Sequence, residues 1–182
     1  MKKRQFEHTI RAAAAILGVN EVLVIGSQAV HASIDFELPA AERSIEADIS
    51  AMQDDDGSKA DLIDGSMGEL SMFQDTFGYY AQGVTPETAV LPEGWQDRLI
   101  VFESPATNGV KAFCLELHDL WISKAIAGRP KDREFCEALF EKDLVDAQIL
   151  HQRLAEVRKL NPAIKEKITS HLPCDSAMPH EL

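Results

Sequence analysis

The chain has 182 residues, 45% hydrophobic and 26% charged, with a formal net charge of −12 at pH 7. That composition fits one globular domain with a real core, and the acidic balance disfavours a protein that tracks a nucleic-acid backbone with a basic face. The longest apolar runs are too short to span a membrane, and the basic start MKKRQFEH leads into an amphipathic stretch rather than a signal-peptide apolar block, so a cytoplasmic location is expected.

Taken in order, residues 5–18 read as an amphipathic helix with Phe6, Ile10, Ala13, Ala14 and Leu17 on one face and Gly18 as its stop. This is packing rather than chemistry. VLVIG at 22–26 reads as a short buried strand and GSQAVHASI as the helix that follows it. A Gly26-Ser27 turn opening a helix offers backbone N–H groups to a phosphate. His31, four residues after Ser27, reads either as a nucleotide contact or as a partly buried polar residue. Residues 34–44, IDFELPAAERS, read as a loop.

SIEADIS then forms a strand whose Glu46 and Asp48, two residues apart, share a face and can grip one cation, while Ile45, Ala47 and Ile49 turn to the core. Arg43 just before it can contact phosphate, brace Glu46 or make a structural ion pair. Asp54-Asp55-Asp56-Gly57-Ser58 fails the spacing of an EF-hand loop and reads as a solvated turn. One or two short helices and a strand near residues 79–84 follow, with Phe73, Phe77, Tyr79 and Tyr80 as an aromatic cluster that either packs or stacks on a base.

A Pro- and Gly-punctuated loop leads to the strand LIVFES, ending at Glu103, and then to VKAFCL with Glu116 after it. Next comes a helix presenting Asp119 in its first turn and Lys124 a turn later. Gly128 and Pro130 break it, and Lys131-Asp132 opens the next helix. Lys124 alone reads as a helix lysine and Asp132 as a first-turn carboxylate favoured by the dipole. Residues 143–159 read as one long amphipathic helix, packed on the domain or on a second subunit, and Asn161-Pro162 opens a last helix to about residue 172. His151 and His171 read as surface histidines. The odd, widely spaced Cys114, Cys136 and Cys174 suggest reduced thiols rather than a disulfide framework or a zinc site.

Gly26-Ser27 followed by Arg43-Ser44-Ile45-Glu46-Ala47-Asp48-Ile49 resembles the nucleotidyltransferase superfamily of the DNA-polymerase-β-like fold, with Glu46 where Asp is more usual. Asp119-Leu120 with Lys124, Ala127, Arg129 and Lys131-Asp132 is similar to the helical signature of its branch of abortive-infection toxins and related proteins of unknown function. Together the two segments span about residues 20–140.

The resemblance implies an α/β (α+β) fold, a small mixed sheet with a helical C-terminal third. One domain would cover residues 1–172, its core at about 20–140 and C-terminal helices at about 137–172, with a flexible tail at 173–182. It also implies an NTP substrate and Mg2+ or Mn2+ on Glu46 and Asp48. Gly26, Ser27, Arg43, Lys124 and Arg129 would bind the nucleotide, and Glu46, Asp48, Lys124 and Asp132 would carry catalysis. A third carboxylate would come from Asp132, Glu103 or Glu116. The implied reaction transfers NMP from an NTP to an acceptor hydroxyl on RNA (tRNA) or protein, in a toxin–antitoxin or phage-defence setting, with a protein partner or homodimer as possible company. The alternative is an inactive member of the fold acting as a nucleotide- or protein-binding module.

Overall fold

The computed structural model describes residues 1–172. Its centre is the strand Glu21–Val24 (β1), which pairs antiparallel with Glu46–Ala51 (β2) and parallel with Lys111–Cys114 (β5). Tyr80–Gly83 (β3) extends β2 in parallel, and Ile100–Phe102 (β4) closes the other edge antiparallel to β5. The five-stranded mixed sheet therefore runs β3-β2-β1-β5-β4. Val22, Leu23 and Val24 are all buried, as the unbroken apolar run of a central strand requires.

The amphipathic helix Lys3–Leu17 (α1) buries Phe6, Ile10, Ala13 and Ala14 against β1, β2 and β3 and ends at Gly18 in the left-handed conformation. Ser58–Met67 (α3) lies on β3 so closely that a Cβ at Gly83 would collide with the Ala60 carbonyl. The Asp54-Asp55-Asp56 turn serves this helix, since Asp54 accepts from the Lys59 and Ala60 amides at 3.0 and 2.8 Å. Met72–Phe77 (α4) buries none of its residues and is fastened through Phe73 and Phe77, whose rings pack on His8 and Tyr79.

The last third is helical: Leu117–Ala127 (α5), Pro130–Glu141 (α6), Ala147–Ala155 (α7) and Pro162–His171 (α8). Their buried Leu120, Ile122, Leu139, Leu150 and Leu154 join the sheet side chains in one core. Among the described residues no helix is long and apolar enough to cross a membrane. Cys114 and Cys136 are buried free thiols whose burial raises their pKa, that of Cys136 to about 12. Cys174 and the expected tail lie outside the described residues.

Three expectations are corrected. The segment after β1 is a six-residue 3-10 helix, Ser27–Ala32, a tight i→i+3 turn in place of a full α-helix. The loop at 34–44 contains a one-turn helix, Pro39–Glu42 (α2), started by its proline. The long helix at 143–159 is shortened to α7, because Asp143 has φ 52° and Asp146 caps the helix by accepting from the Ile149 amide at 3.0 Å.

Candidate active site

The site forms where β1 ends and antiparallel β2 begins. Gly26 leaves β1 in an extended conformation (φ −95°, ψ −172°) and Ser27 starts the 3-10 turn, which Gln28 ties to α2 by donating to the Ala41 carbonyl at 3.0 Å. Six residues of 3-10 helix supply little macrodipole, so Ser27 itself is what this turn presents to the cleft.

Pleating does the rest on β2. Ala47 and Ile49 are fully buried in the core, and Glu46 and Asp48 point the other way. Ile45 departs from the expected alternation: it precedes the strand, is 47% exposed and stands on the cleft wall. The Ile25 amide donates to the Asp48 carbonyl at 3.2 Å, which draws the aspartate onto Gly26. A Cβ at Gly26 would collide with the Asp48 carboxylate. Only glycine fits there.

Burial, and then the neighbouring Glu46 carboxylate, push the Asp48 pKa up to about 6, with Lys124 and Lys131 pulling it back. Two carboxylates crowded in this way favour either a shared proton or a cation. Glu46 is steadied by Tyr80, whose hydroxyl donates to Oε2 at 3.2 Å. Burial and the nearby Glu46 push Tyr80 up to about 12, so at neutral pH it stays a donor.

The opposite wall comes from the α5–α6 break. Gly128 is left-handed (φ 65°), Pro130 opens α6, and Asp132 accepts from the Arg129 amide at 3.3 Å. Asp132 is 2% exposed and neutralised from two sides, by Lys124 at 3.7 Å and Arg129 at 3.4 Å. Lys124 is thus held by a carboxylate rather than free in solvent. Arg43 also lines the cleft, paired with Glu134 at 2.8 Å and not with Glu46.

Ser27, Arg43, Glu46, Asp48, Lys124, Arg129 and Asp132 all line a cleft of about 760 Å³, within the size range of small-molecule sites. Gly26 lies behind Asp48, against its carboxylate. Val84, Ala89, Val90, Ile126 and Phe135 give it apolar surface.

Two other carboxylate candidates lie elsewhere. Glu103 follows β4, whose direction carries it to the end of the sheet where β5 starts, away from Gly26. Glu116 is occupied as the cap of α5, accepting from the His118 amide at 3.0 Å and from His118 Nδ1 at 2.6 Å. Among the described residues no three His, Cys, Asp or Glu side chains converge on a metal-sized site. His31 is no nucleotide contact either: it is buried against Phe6, with Nε2 3.1 Å from the Met1 carbonyl.

Two features escape a reading of the sequence. Tyr80 enters the site because β2 and β3 pair in parallel with Glu46 opposite Tyr80, a pairing that a four-residue strand does not announce. Asp119, fully buried, is gripped by Arg98 at 2.8 and 3.0 Å and approached by Arg153 at 3.5 Å. These partners come from distant parts of the chain.

A family model described as "Nucleotidyltransferase of unknown function (DUF6036)" matches residues 5–174. The chain belongs to this family. The match runs from within α1 to the end of α8, so the Gly26-Ser27 turn, the Glu46/Asp48 strand and the Lys124–Asp132 helix break all lie within the matched residues. No curated protein and no solved structure matches the chain.

Proposed function

We propose that the cleft binds an NTP with a divalent cation and transfers the nucleoside monophosphate to an acceptor hydroxyl, releasing pyrophosphate. The observation that carries this reading is the convergence of Ser27, Glu46, Asp48 and Lys124 on one cleft. Membership of the nucleotidyltransferase family supports it.

Mg2+ or Mn2+ fits the donor set. Hard oxygen ligands suit both ions, and magnesium is commonly held by one or two carboxylates with the remaining positions left to phosphate and water. Glu46 and Asp48 would hold the ion, with the Asp48 carboxylate seated against the bare Cα of Gly26. When bound, such an ion supplies charge neutralisation at the reacting phosphate.

Ser27 binds the outer phosphates by hydrogen bonding. Lys124, oriented by Asp132, offsets the negative charge that builds on the leaving pyrophosphate. Arg129 and Arg43 add positive charge at the rim, and the apolar wall receives the base. The acceptor hydroxyl gives up its proton to solvent and its oxygen bonds to the α-phosphorus as the bond from that phosphorus to the bridging oxygen breaks and pyrophosphate leaves, a reaction governed by positioning and electrostatics.

With a net charge of −12, a protein hydroxyl is favoured over RNA as acceptor, since long-range steering works against a polyanion. A toxin–antitoxin or phage-defence role, in the cytoplasm, accords with such an acceptor. A second reading, a nucleotide-binding module without transfer, is favoured by one observation: Asp132 is spent on Lys124 and Arg129, leaving two carboxylates for a cation.

Calorimetry with each NTP, with and without Mg2+ or Mn2+, tests the site. The transferase reading predicts binding that requires the cation and is lost in Asp48→Ala. Binding that ignores both the cation and the substitution favours the module, and absence of any NTP binding contradicts both.

A further inference from the structure

The parallel register of β2 and β3 sets Glu46 directly opposite Tyr80. Tyr80 is 8% exposed, so its ring is fixed by packing, and its hydroxyl reaches Glu46 Oε2 at 3.2 Å at the edge of the cleft. Glutamate carries one methylene and one rotatable bond more than aspartate. Its carboxylate would sweep a larger arc unless something outside the ligand set held it.

Asp48 shows the contrast: it is short and lies against Gly26. Glu46 has a hydrogen bond instead. Partners of this kind, one layer outside the ligands, set ligand orientation and commonly change metal affinity 10- to 100-fold when removed.

We infer that Tyr80 is a positioning residue for divalent-cation binding, its hydroxyl orienting the Glu46 carboxylate and taking up the extra reach of glutamate at that position. The inference rests on the proposal that Glu46 and Asp48 hold a cation, and it extends the site to a residue of β3.

The test is Mn2+ binding followed by electron paramagnetic resonance in the presence of a non-hydrolysable NTP analogue. Wild type, Tyr80→Phe, Glu46→Gln and the double variant are compared, with thermal unfolding run on each. Removing the hydroxyl keeps the ring, and the expected result is about tenfold weaker Mn2+ binding in Tyr80→Phe. The same substitution should have no effect on Mn2+ in the Glu46→Gln background, because its action passes through that carboxylate.

Wild-type affinity in Tyr80→Phe would overturn the inference while leaving the cation site standing. An equal loss in the Glu46→Gln background would overturn it too, by showing a general effect of the ring environment. If wild type binds no Mn2+ with the analogue present, the cation reading falls and takes this inference with it.

Discussion

Gly26 and Asp48 share one small volume: the Asp48 carboxylate lies where a side chain at position 26 would have to go, against the bare Cα of the glycine. Their backbones are tied as well, through the Ile25 amide and the Asp48 carbonyl at 3.2 Å. Gly26→Ala must therefore push the carboxylate out of place. The expected cost is about 1–3 kcal/mol of stability from overpacking, read by denaturant unfolding, together with loss of Mn2+ binding. An alanine variant with wild-type stability and Mn2+ affinity would show that the contact is unimportant.

The position of Asp48 also sets a pH dependence in the metal-free protein. Its pKa rises from 3.8 in the unfolded chain to about 6 in the fold, through burial and then Glu46, moderated by Lys124 and Lys131. The folded state thus holds the proton more tightly. The stability this provides is complete below the unfolded value and is lost as pH rises through about 6. Asp48→Asn removes the group, so its melting temperature should exceed that of wild type by more at pH about 8 than at pH about 5. A gain that grows toward low pH would contradict the assignment.

Asp132 and Asp48 should separate into two kinds of carboxylate. Asp132 is 2% exposed, caps α6 and faces Lys124 and Arg129, so its work is to hold the basic wall in place. Asp132→Ala leaves the largely buried Lys124 unpaired and frees the helix end, with an expected cost of about 3 kcal/mol, and NTP affinity falls through the displaced Lys124. Mn2+ binding without nucleotide should persist in Asp132→Ala and vanish in Asp48→Ala. Loss in both would make Asp132 a direct ligand.

Away from the cleft, Asp119 pairs with Arg98 and Arg153 while fully buried. Burial raises its pKa above the ordinary carboxylate value, even with Arg98 bonded to it. Asp119→Ala removes the buried carboxylate from both guanidiniums, leaving the half-exposed Glu156 as the acid they share, and should cost about 3–5 kcal/mol, on the order of 10 °C in melting temperature for a chain of this size. Thermal unfolding measures this directly, and a shift of only a degree or two would mean that solvent reaches the two arginines.

The sequence carries local patterns well and spatial partners poorly. Alternation on Glu46-Ala47-Asp48-Ile49 places two acids on one face wherever the strand goes, and Gly128 with Pro130 breaks a helix in any context. What β2 lies beside is another matter, since the Glu46–Tyr80 contact depends on a parallel pairing across 34 residues of chain. Glu103 is plausible as a site acid until the direction of β4 is known, and that direction sends it to the far end of the sheet. Short segments mislead for a different reason: Ser27–Ala32 has the composition of a helix but only six residues in which to turn.

The most direct measurement is incubation of the purified protein with each α-32P-labelled NTP, Mg2+ or Mn2+, total RNA and cell lysate, with Asp48→Ala in parallel. The account predicts label in a protein band with wild type and none with the variant. Label in RNA alone would preserve the transferase and contradict the acceptor. No label with any NTP, together with NTP binding that does not depend on the cation, would contradict the transferase and leave a nucleotide-binding module.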